Sequence, residues 1–170
     1  MRVADLVAQS LVHHRITHAF GIVGGGNIHL WDALHPRLKL VSCHHEQAAA
    51  MAATCYYRVC GRLAPVIVTT GAGSTNALTG VMAAWMDSIP LLVISGNEAS
   101  YHLRTNERVK GVQGYRSDVV ARPMVKWSCT LDHASDVLDA LHDAIELATS
   151  PREGPVWVDI PKNIQSENVQ

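Results

Sequence analysis

Short apolar runs with the composition of β-strands alternate with helical patterns along this 170-residue sequence. The run 65–70 is almost entirely β-branched, which is typical of a strand buried on both faces of a sheet. Parallel strands need long crossover connections, and helices supply them. The alternation therefore predicts an α/β fold with three layers, in which helices cover both faces of a mainly parallel open sheet.

The predicted elements fit one domain over residues 1–170, because a chain of this length builds one core more readily than two. Asn27 is expected to cap the second helix, and residues 162–170 are expected to form a frayed end or a linker. A polar stretch without clear period, residues 96–114, is predicted to be a long functional loop. Predicted strands cover residues 17–23, 38–43, 65–70, 91–95, 124–129 and 155–160.

Composition argues against several classes of function. A formal net charge of -1 gives no electrostatic basis for binding nucleic acid or an anionic membrane, and no apolar run is long enough to span a bilayer. The four cysteines form no C-x-x-C pair and are interpreted as reduced thiols of a cytoplasmic protein. The 10 histidines are scattered, so no metal site formed by this chain alone is predicted.

Glu46 stands where an apolar strand gives way to a helix rich in alanine. Open α/β folds place ligands at such junctions, and a carboxylate beside small packed side chains is partly desolvated and fixed in position. Glu46 is therefore predicted to handle a proton. The neighbouring His44 and His45 are either general bases or, as we favour, hydrogen-bonded structural residues.

Two glycine-rich turns follow predicted strands. The first, Gly24-Gly25-Gly26, suggests a dinucleotide site with Glu46 as the ribose-binding acid, but His29 occupies the third glycine position of that fingerprint. Two other interpretations of these glycines stay open: a tight turn with positive φ, or close approach of the backbone to another flat ligand. The second turn, residues 71–76, could cradle an anion but lacks the P-loop lysine, and Asn76 there is a candidate helix cap.

Both turns and Glu46 fall at the carboxyl ends of predicted strands, so one shared pocket is expected. Gln113 in the long loop is either an exposed polar residue or, if the loop folds over the pocket, part of the site. Arg104, Arg108 and Lys110 in the same loop form a solvated face, or they meet an acidic substrate or a partner chain.

Taken in order, these segments resemble the pyrimidine-binding (N-terminal) domain of thiamine diphosphate enzymes of the acetolactate synthase type. The resemblance covers essentially the whole chain and rests on five ordered motifs. They are F-G-I-V-G-G with W-D-A-L at residues 20–34, H-E-Q-A-A at 45–49, T-G-A-G-S-T-N at 70–76, M-D-S-I-P to S-G at 86–96, and G-P-V-W-V-D-I-P-K at 154–162. Thiamine diphosphate is therefore the expected cofactor.

The resemblance implies that Glu46 hydrogen-bonds N1′ of the cofactor's aminopyrimidine and favours its imino tautomer, which activates the thiazolium ring for attack on a 2-keto acid. A buried carboxyl suits this task, because burial favours the protonated form that donates to N1′. Gln113 matches the glutamine that approaches the reacting centre in acetolactate synthases. By the same resemblance, the residues that line the pyrimidine pocket are Val23, Gly24, Gly25, Ala72 and Asn76.

Several positions depart from the family's pattern. Val23 and Ala72 stand where the family usually has proline, and Val112 replaces a phenylalanine. The helix that follows the glutamate differs at Thr54, Cys55 and Tyr57. These departures imply that the substrate can differ from pyruvate.

The family's diphosphate-binding domain carries G-D-G and a later N-N that hold Mg²⁺ and the diphosphate, and neither motif occurs in this sequence. We therefore expect a subunit of a split 2-keto acid decarboxylase or carboligase, a hetero-oligomer whose partner chain binds the Mg²⁺. An excised domain is the alternative, although Met1 leading directly into the first helix favours a natural subunit. Two other functions stay open: a non-catalytic structural or regulatory subunit of such an enzyme, and a dinucleotide-binding oxidoreductase domain.

Overall fold

The strands of this chain assemble into one parallel sheet. The structure, a computed structural model, describes residues 1–103 and 113–169. Within these residues the sheet has six strands in the order β2-β1-β3-β4-β6-β5, and every neighbouring pair is parallel. The strands are β1 (His18–Gly21), β2 (Lys39–Ser42), β3 (Val66–Val68), β4 (Leu91–Asn97), β5 (Trp127–Thr130) and β6 (Pro155–Pro161).

Helices cover both faces of this sheet, which confirms the predicted three-layer α/β class. On β3, Val66 and Val68 face one side and join the core beneath α3 and α4, whereas Ile67 faces the other side and joins the core beneath α1 and α7. The helices are α1 (Val3–His13), α2 (Ile28–Leu34), α3 (Glu46–Cys60), α4 (Ala72–Asp87), α5 (Ser100–Leu103), α6 (Ser117–Ala121), α7 (Val137–Thr149) and α8 (Lys162–Ser166).

The C-terminal segment differs from the frayed end that the sequence suggests. Lys162–Ser166 forms α8, and both Ile164 and Gln165 are buried. The Gln165 amide donates to the carbonyl oxygens of Gly26 at 2.6 Å and Ile160 at 2.7 Å. One apolar side chain and two hydrogen bonds from one amide group therefore dock a segment whose composition is otherwise polar.

The sequence around α3 explains both its position and its ends. Ala49, Ala50 and Ala53 form its buried side, so the helix packs closely on its neighbours. Its C-terminus is Gly61 in the left-handed region at φ 63°, the conformation that glycine adopts most easily.

The two helices that follow β2 and β3, α3 and α4, pack closely at Gly80. A Cβ added to Gly80 of α4 would lie 2.5 Å from the Cβ of Ala50 on α3, which is closer than side chains tolerate. Glycine at position 80 therefore sets the distance between α3 and α4. None of the helices in the described ranges is long and apolar enough to cross a membrane.

Candidate active site

Glu46 is the first residue of α3 and lies just beyond the carboxyl end of β2. Only 8% of its surface is exposed. His45 occupies the N-cap position, where its Nδ1 accepts a 3.2 Å hydrogen bond from the Gln47 backbone N–H. The structural interpretation of His45 is therefore confirmed, because its ring satisfies one of the unpaired donors at the start of α3.

Asn76 meets Glu46 across the α3–α4 contact. Its Nδ2 donates to Glu46 Oε2 at 3.0 Å. Glu46 and Asn76 each lie one helical turn before the residues that touch, Ala50 and Gly80, so the packing of the two helices fixes this pair. Asn76 is therefore not the cap of α4; that position belongs to Gly71, whose φ of 69° lies in the left-handed region.

The other carboxylate oxygen of Glu46 lies over a glycine. A Cβ added to Gly73 would stand 3.3 Å from Glu46 Oε1 and 2.6 Å from Thr69 Cγ2. Within residues 1–103 and 113–169, Oε1 has no hydrogen-bond partner, whereas Oε2 is bonded to Asn76. The carboxyl group is thus held by one oxygen and leaves the other free for a ligand.

The first glycine turn is held together by Asn27. Its Oδ1 accepts from the Gly24 N–H at 2.7 Å, and its Nδ2 donates to the Ile22 carbonyl at 3.0 Å. Asn27 stands at the N-cap of α2, as expected, but its side chain makes no capping hydrogen bond. The side chain closes the preceding turn instead.

Space, and not positive φ, explains the glycines of this first turn, since none of the three has a φ in the left-handed region. A Cβ on Gly24 would lie 2.7 Å from the side chain of Thr69, and Gly96 approaches so closely that its Cβ would lie 1.9 Å from the Gly26 oxygen. Gly25 differs, because an added Cβ there would meet nothing within 4 Å. Its outer side therefore faces open space.

Thr69 connects the two glycine turns. Its Oγ1 accepts a 3.0 Å hydrogen bond from the Gly26 N–H, and its side chain fills the space left by the absent Cβ atoms of Gly24 and Gly73. Both turns are thus fitted against one side chain at the end of β3. The structure brings together the first turn, the second turn and Glu46, as expected for one shared site.

Gln113 lies at the same edge of the sheet, and its side chain is exposed. Its carbonyl oxygen accepts a 2.5 Å hydrogen bond from Thr70 Oγ1. Two residues later, the Tyr115 hydroxyl lies 3.1 Å from the Gly71 oxygen and 3.0 Å from Ser74 Oγ, at the start of α4. Burial raises the pKa of Tyr115, so this hydroxyl stays a neutral donor.

Behind Gln113 lies a buried polar cluster at the ends of β4 and β6. Asn97 Nδ2 donates to Asp159 Oδ2 at 2.6 Å, and Thr130 Oγ1 donates to the same oxygen at 3.3 Å. Asp159 is fully buried, and burial raises its pKa to about 6 although the Asn97 hydrogen bond acts in the opposite direction. This carboxyl therefore stays ionised at neutral pH inside the core.

The sequence analysis assigns no role in this region to four residues: Thr69, Asn97, Tyr115 and Asp159. One signal was available for Asp159, because a carboxylate within an otherwise apolar strand must have partners. Thr69 lies inside the run 65–70, where the sequence predicts only a buried strand.

The other predicted pocket residues line this edge with different exposure. Val23 is 55% exposed and Ala72 is also exposed, so both present small apolar surfaces. Arg104, Arg108, Lys110 and Val112 lie outside the described residues. In the described ranges no three His, Cys, Asp or Glu side chains come together in a way that could hold a metal ion.

Comparison with known proteins gives one consistent answer. The family described as "Thiamine pyrophosphate enzyme, N-terminal TPP binding domain" matches residues 1–120. Similar proteins include the acetolactate synthase large subunit of Haemophilus influenzae, 36% identical over 97% of this chain, and the acetolactate synthase isozyme 3 large subunit of Escherichia coli, 39% identical over 95% of it. The mitochondrial acetolactate synthase of Schizosaccharomyces pombe is 34% identical over 94% of the chain.

This chain spans only 28% of the two bacterial proteins and 24% of the yeast protein. The family match over residues 1–120 nevertheless covers all site residues up to the end of β4. It also covers Gln113 and Tyr115. The predicted resemblance is confirmed: the chain belongs to the thiamine pyrophosphate enzyme family, of which it represents the N-terminal TPP binding domain.

Proposed function

We propose that this chain is the pyrimidine-binding part of an acetolactate synthase-like enzyme that decarboxylates or condenses a 2-keto acid. One observation above all supports this proposal: Asn76 holds Glu46 by Oε2, while Oε1 lies free over Gly73. A carboxyl group fixed in this way can carry its proton on the free oxygen and share it with a ring nitrogen.

The residues at this edge suit a flat heteroaromatic ring. The outer side of Gly25 faces open space, where a ring can approach the backbone, and Val23 beside it offers exposed apolar surface. Thiamine diphosphate has such a ring in its aminopyrimidine. We therefore assign the ring to Val23, Gly24, Gly25, Ala72 and Asn76, with Glu46 Oε1 at its N1′ atom.

When bound, thiamine diphosphate supplies the electron sink that a 2-keto acid needs to lose CO₂. Glu46 holds or moves the proton at N1′, and Asn76 keeps its carboxyl group in one orientation. Burial of Glu46 excludes water from this proton, which strengthens the hydrogen bond. Gln113, exposed at the same edge, is assigned to the substrate side of the cofactor.

The remaining half of the site is assigned to a second subunit in a hetero-oligomer. The diphosphate and Mg²⁺ need a domain for which these 170 residues have no G-D-G or N-N motif. We place the complex in the cytoplasm, where its four free cysteines would stay reduced.

The proposal is tested by combining the chain with a candidate diphosphate-domain subunit and following consumption of pyruvate and other 2-keto acids. Glu46→Gln should lower kcat by roughly a hundredfold or more, the size expected for loss of a general acid–base group. Glu153→Gln is the matched control, because Glu153 accepts a 3.1 Å hydrogen bond from Tyr57 at the opposite end of the strands. Equal activity of the Glu46 variant and wild type would exclude the catalytic role.

A further inference from the structure

The segment that carries Gln113 is tied to the sheet through its main chain. Thr70 Oγ1 donates to the Gln113 carbonyl at 2.5 Å, and Asn97 Nδ2 donates to the Tyr115 carbonyl at 3.1 Å. These two carbonyl groups flank Gly114, so the ends of β3 and β4 hold the backbone on either side of a residue without a side chain. The position of Gln113 therefore depends on donors that lie behind it.

Asn97 uses both donors of its amide. Its Nδ2 donates to the Tyr115 carbonyl at 3.1 Å and to Asp159 Oδ2 at 2.6 Å. Its Oδ1 accepts from the Glu98 N–H at 2.8 Å. Thr70 Oγ1 also lies 3.0 Å from this oxygen, but its single proton goes to the nearer Gln113 carbonyl.

The backbone groups around Asn97 fix which way that amide faces. The Glu98 N–H can only donate and the Tyr115 carbonyl can only accept, so Oδ1 faces Glu98 and Nδ2 faces Tyr115. The second N–H then reaches Asp159, which is fully buried near the carboxyl end of β6. The opposite orientation would bring the amide oxygen against the Tyr115 carbonyl and remove the donor from it.

We propose that Asn97 is a positioning residue for Gln113: it holds residues 113–115 so that the Gln113 side chain is presented at the edge where Glu46 lies. The inference rests on the proposed function for the role of Gln113. It adds a residue that touches neither cofactor nor substrate and acts on the site through the Tyr115 carbonyl.

A swap of the buried pair tests this proposal without removing its internal bond. In the double variant Asn97→Asp/Asp159→Asn, the amide at position 159 donates to the carboxylate at position 97, and that carboxylate still accepts from the Glu98 N–H. The donor to the Tyr115 carbonyl is lost. The amide nitrogen at position 159 also replaces the oxygen that accepts from Thr130, but within the described residues Thr130 makes no hydrogen bond with residues 113–115. The single variant Asp159→Asn is the matched control, because its amide oxygen can accept from Asn97 and the donor to Tyr115 is kept.

A second control separates positioning from general loss of stability. Lys126 precedes β5 at the amino ends of the strands, and its Nζ donates to the Ser150 carbonyl at 2.9 Å. Lys126→Met removes a partly buried hydrogen-bonding group that lies far from Gln113, and methionine keeps a side chain of similar size. It should lower stability while leaving residues 113–115 in place.

The first measurement is backbone ¹⁵N relaxation of residues 113–115 in the chain alone. Order parameters should be near the rigid value of about 0.85 in wild type and both controls, and should fall below about 0.6 in the swapped variant. The second is kcat and KM in the assembly with a diphosphate-domain subunit. There the swapped variant should lose roughly a hundredfold in kcat, as expected when a reacting-centre group is misplaced, with little change in cofactor affinity.

Rigid order parameters in the swapped variant would overturn the proposal, and so would an unchanged kcat in an assembly whose wild type is active. If the wild-type assembly consumes no 2-keto acid, the proposed function is wrong. The relaxation data would then still decide whether Asn97 holds residues 113–115, because they need neither cofactor nor substrate.

Discussion

Asn76 and Glu46 are 30 residues apart in sequence, yet the Asn76 amide donates a 3.0 Å hydrogen bond to the Glu46 carboxylate. The contact exists because α3 and α4 begin at the same edge of the sheet and touch at Ala50 and Gly80, one turn beyond Glu46 and Asn76. Close packing of small residues between the two helices thus fixes a polar pair one turn away.

Asn76→Ala should weaken both stability and catalysis. Its loss leaves an oxygen of a largely buried carboxyl group without its partner, so the free energy of unfolding should fall by about 1–3 kcal/mol. Urea unfolding followed by circular dichroism measures this difference. Thr79→Ala, an exposed position on α4, is the control and should change stability by less than about 0.5 kcal/mol.

Gly80→Ala should destabilise the protein although alanine favours helices. The higher helix propensity of alanine would add about 1 kcal/mol. The new methyl group, however, would lie 2.5 Å from Ala50 Cβ, and overpacking of a core contact costs about 1–3 kcal/mol before any helix displacement. We expect a net loss in thermal stability, together with a reduced kcat in the assembly since Asn76 would move away from Glu46. A more stable variant with full activity would contradict the proposed coupling.

The sequence predicts the parts of this site that depend on local pattern. The β-branched run 65–70 predicts a strand buried on both faces, and the change at Glu46 from apolar strand to alanine-rich helix predicts a carboxylate at the edge of the sheet. The Asn76–Glu46 bond could not be predicted in this way, because it depends on the distance between α3 and α4.

The same limit applies to Asn27 and Gln165. Each has a side-chain amide whose partners are backbone atoms of a turn, and such partners are known only once the chain is folded. Helix-cap statistics suggested a different partner for Asn27, and polar composition suggested a free end around Gln165.

Asp159 should make stability depend on pH in the direction opposite to most carboxylates. Burial raises its pKa from 3.8 to about 6, so its contribution to stability is complete below pH 3.8 and is lost as pH rises through 6. At about 1.4 kcal/mol per pH unit between these values, the loss is about 3 kcal/mol.

Comparison of wild type with Asp159→Asn isolates this effect, because the other carboxyl groups contribute equally to both proteins. Asp5, whose pKa is lowered by its hydrogen bond with Arg2, is one of those that act in the usual direction. The free energies of unfolding of the two proteins should diverge between pH 4 and pH 7 in favour of Asp159→Asn. Parallel curves over this range would mean that Asp159 does not carry a buried charge.

Gly24 and Gly25 should respond differently to the same substitution, and the difference tests which side of the turn faces the ligand. Gly24→Ala places a methyl group 2.7 Å from the Thr69 side chain, so it should lower the free energy of unfolding by about 1–3 kcal/mol. Gly25→Ala meets nothing within 4 Å, so it should leave stability within about 0.5 kcal/mol of wild type.

In the assembly, however, the methyl group of Gly25→Ala would occupy space assigned to the aminopyrimidine ring. Calorimetric titration should then show that the affinity for thiamine diphosphate falls by a factor of roughly ten or more. A Gly25→Ala protein that binds the cofactor as tightly as wild type would place the ring elsewhere.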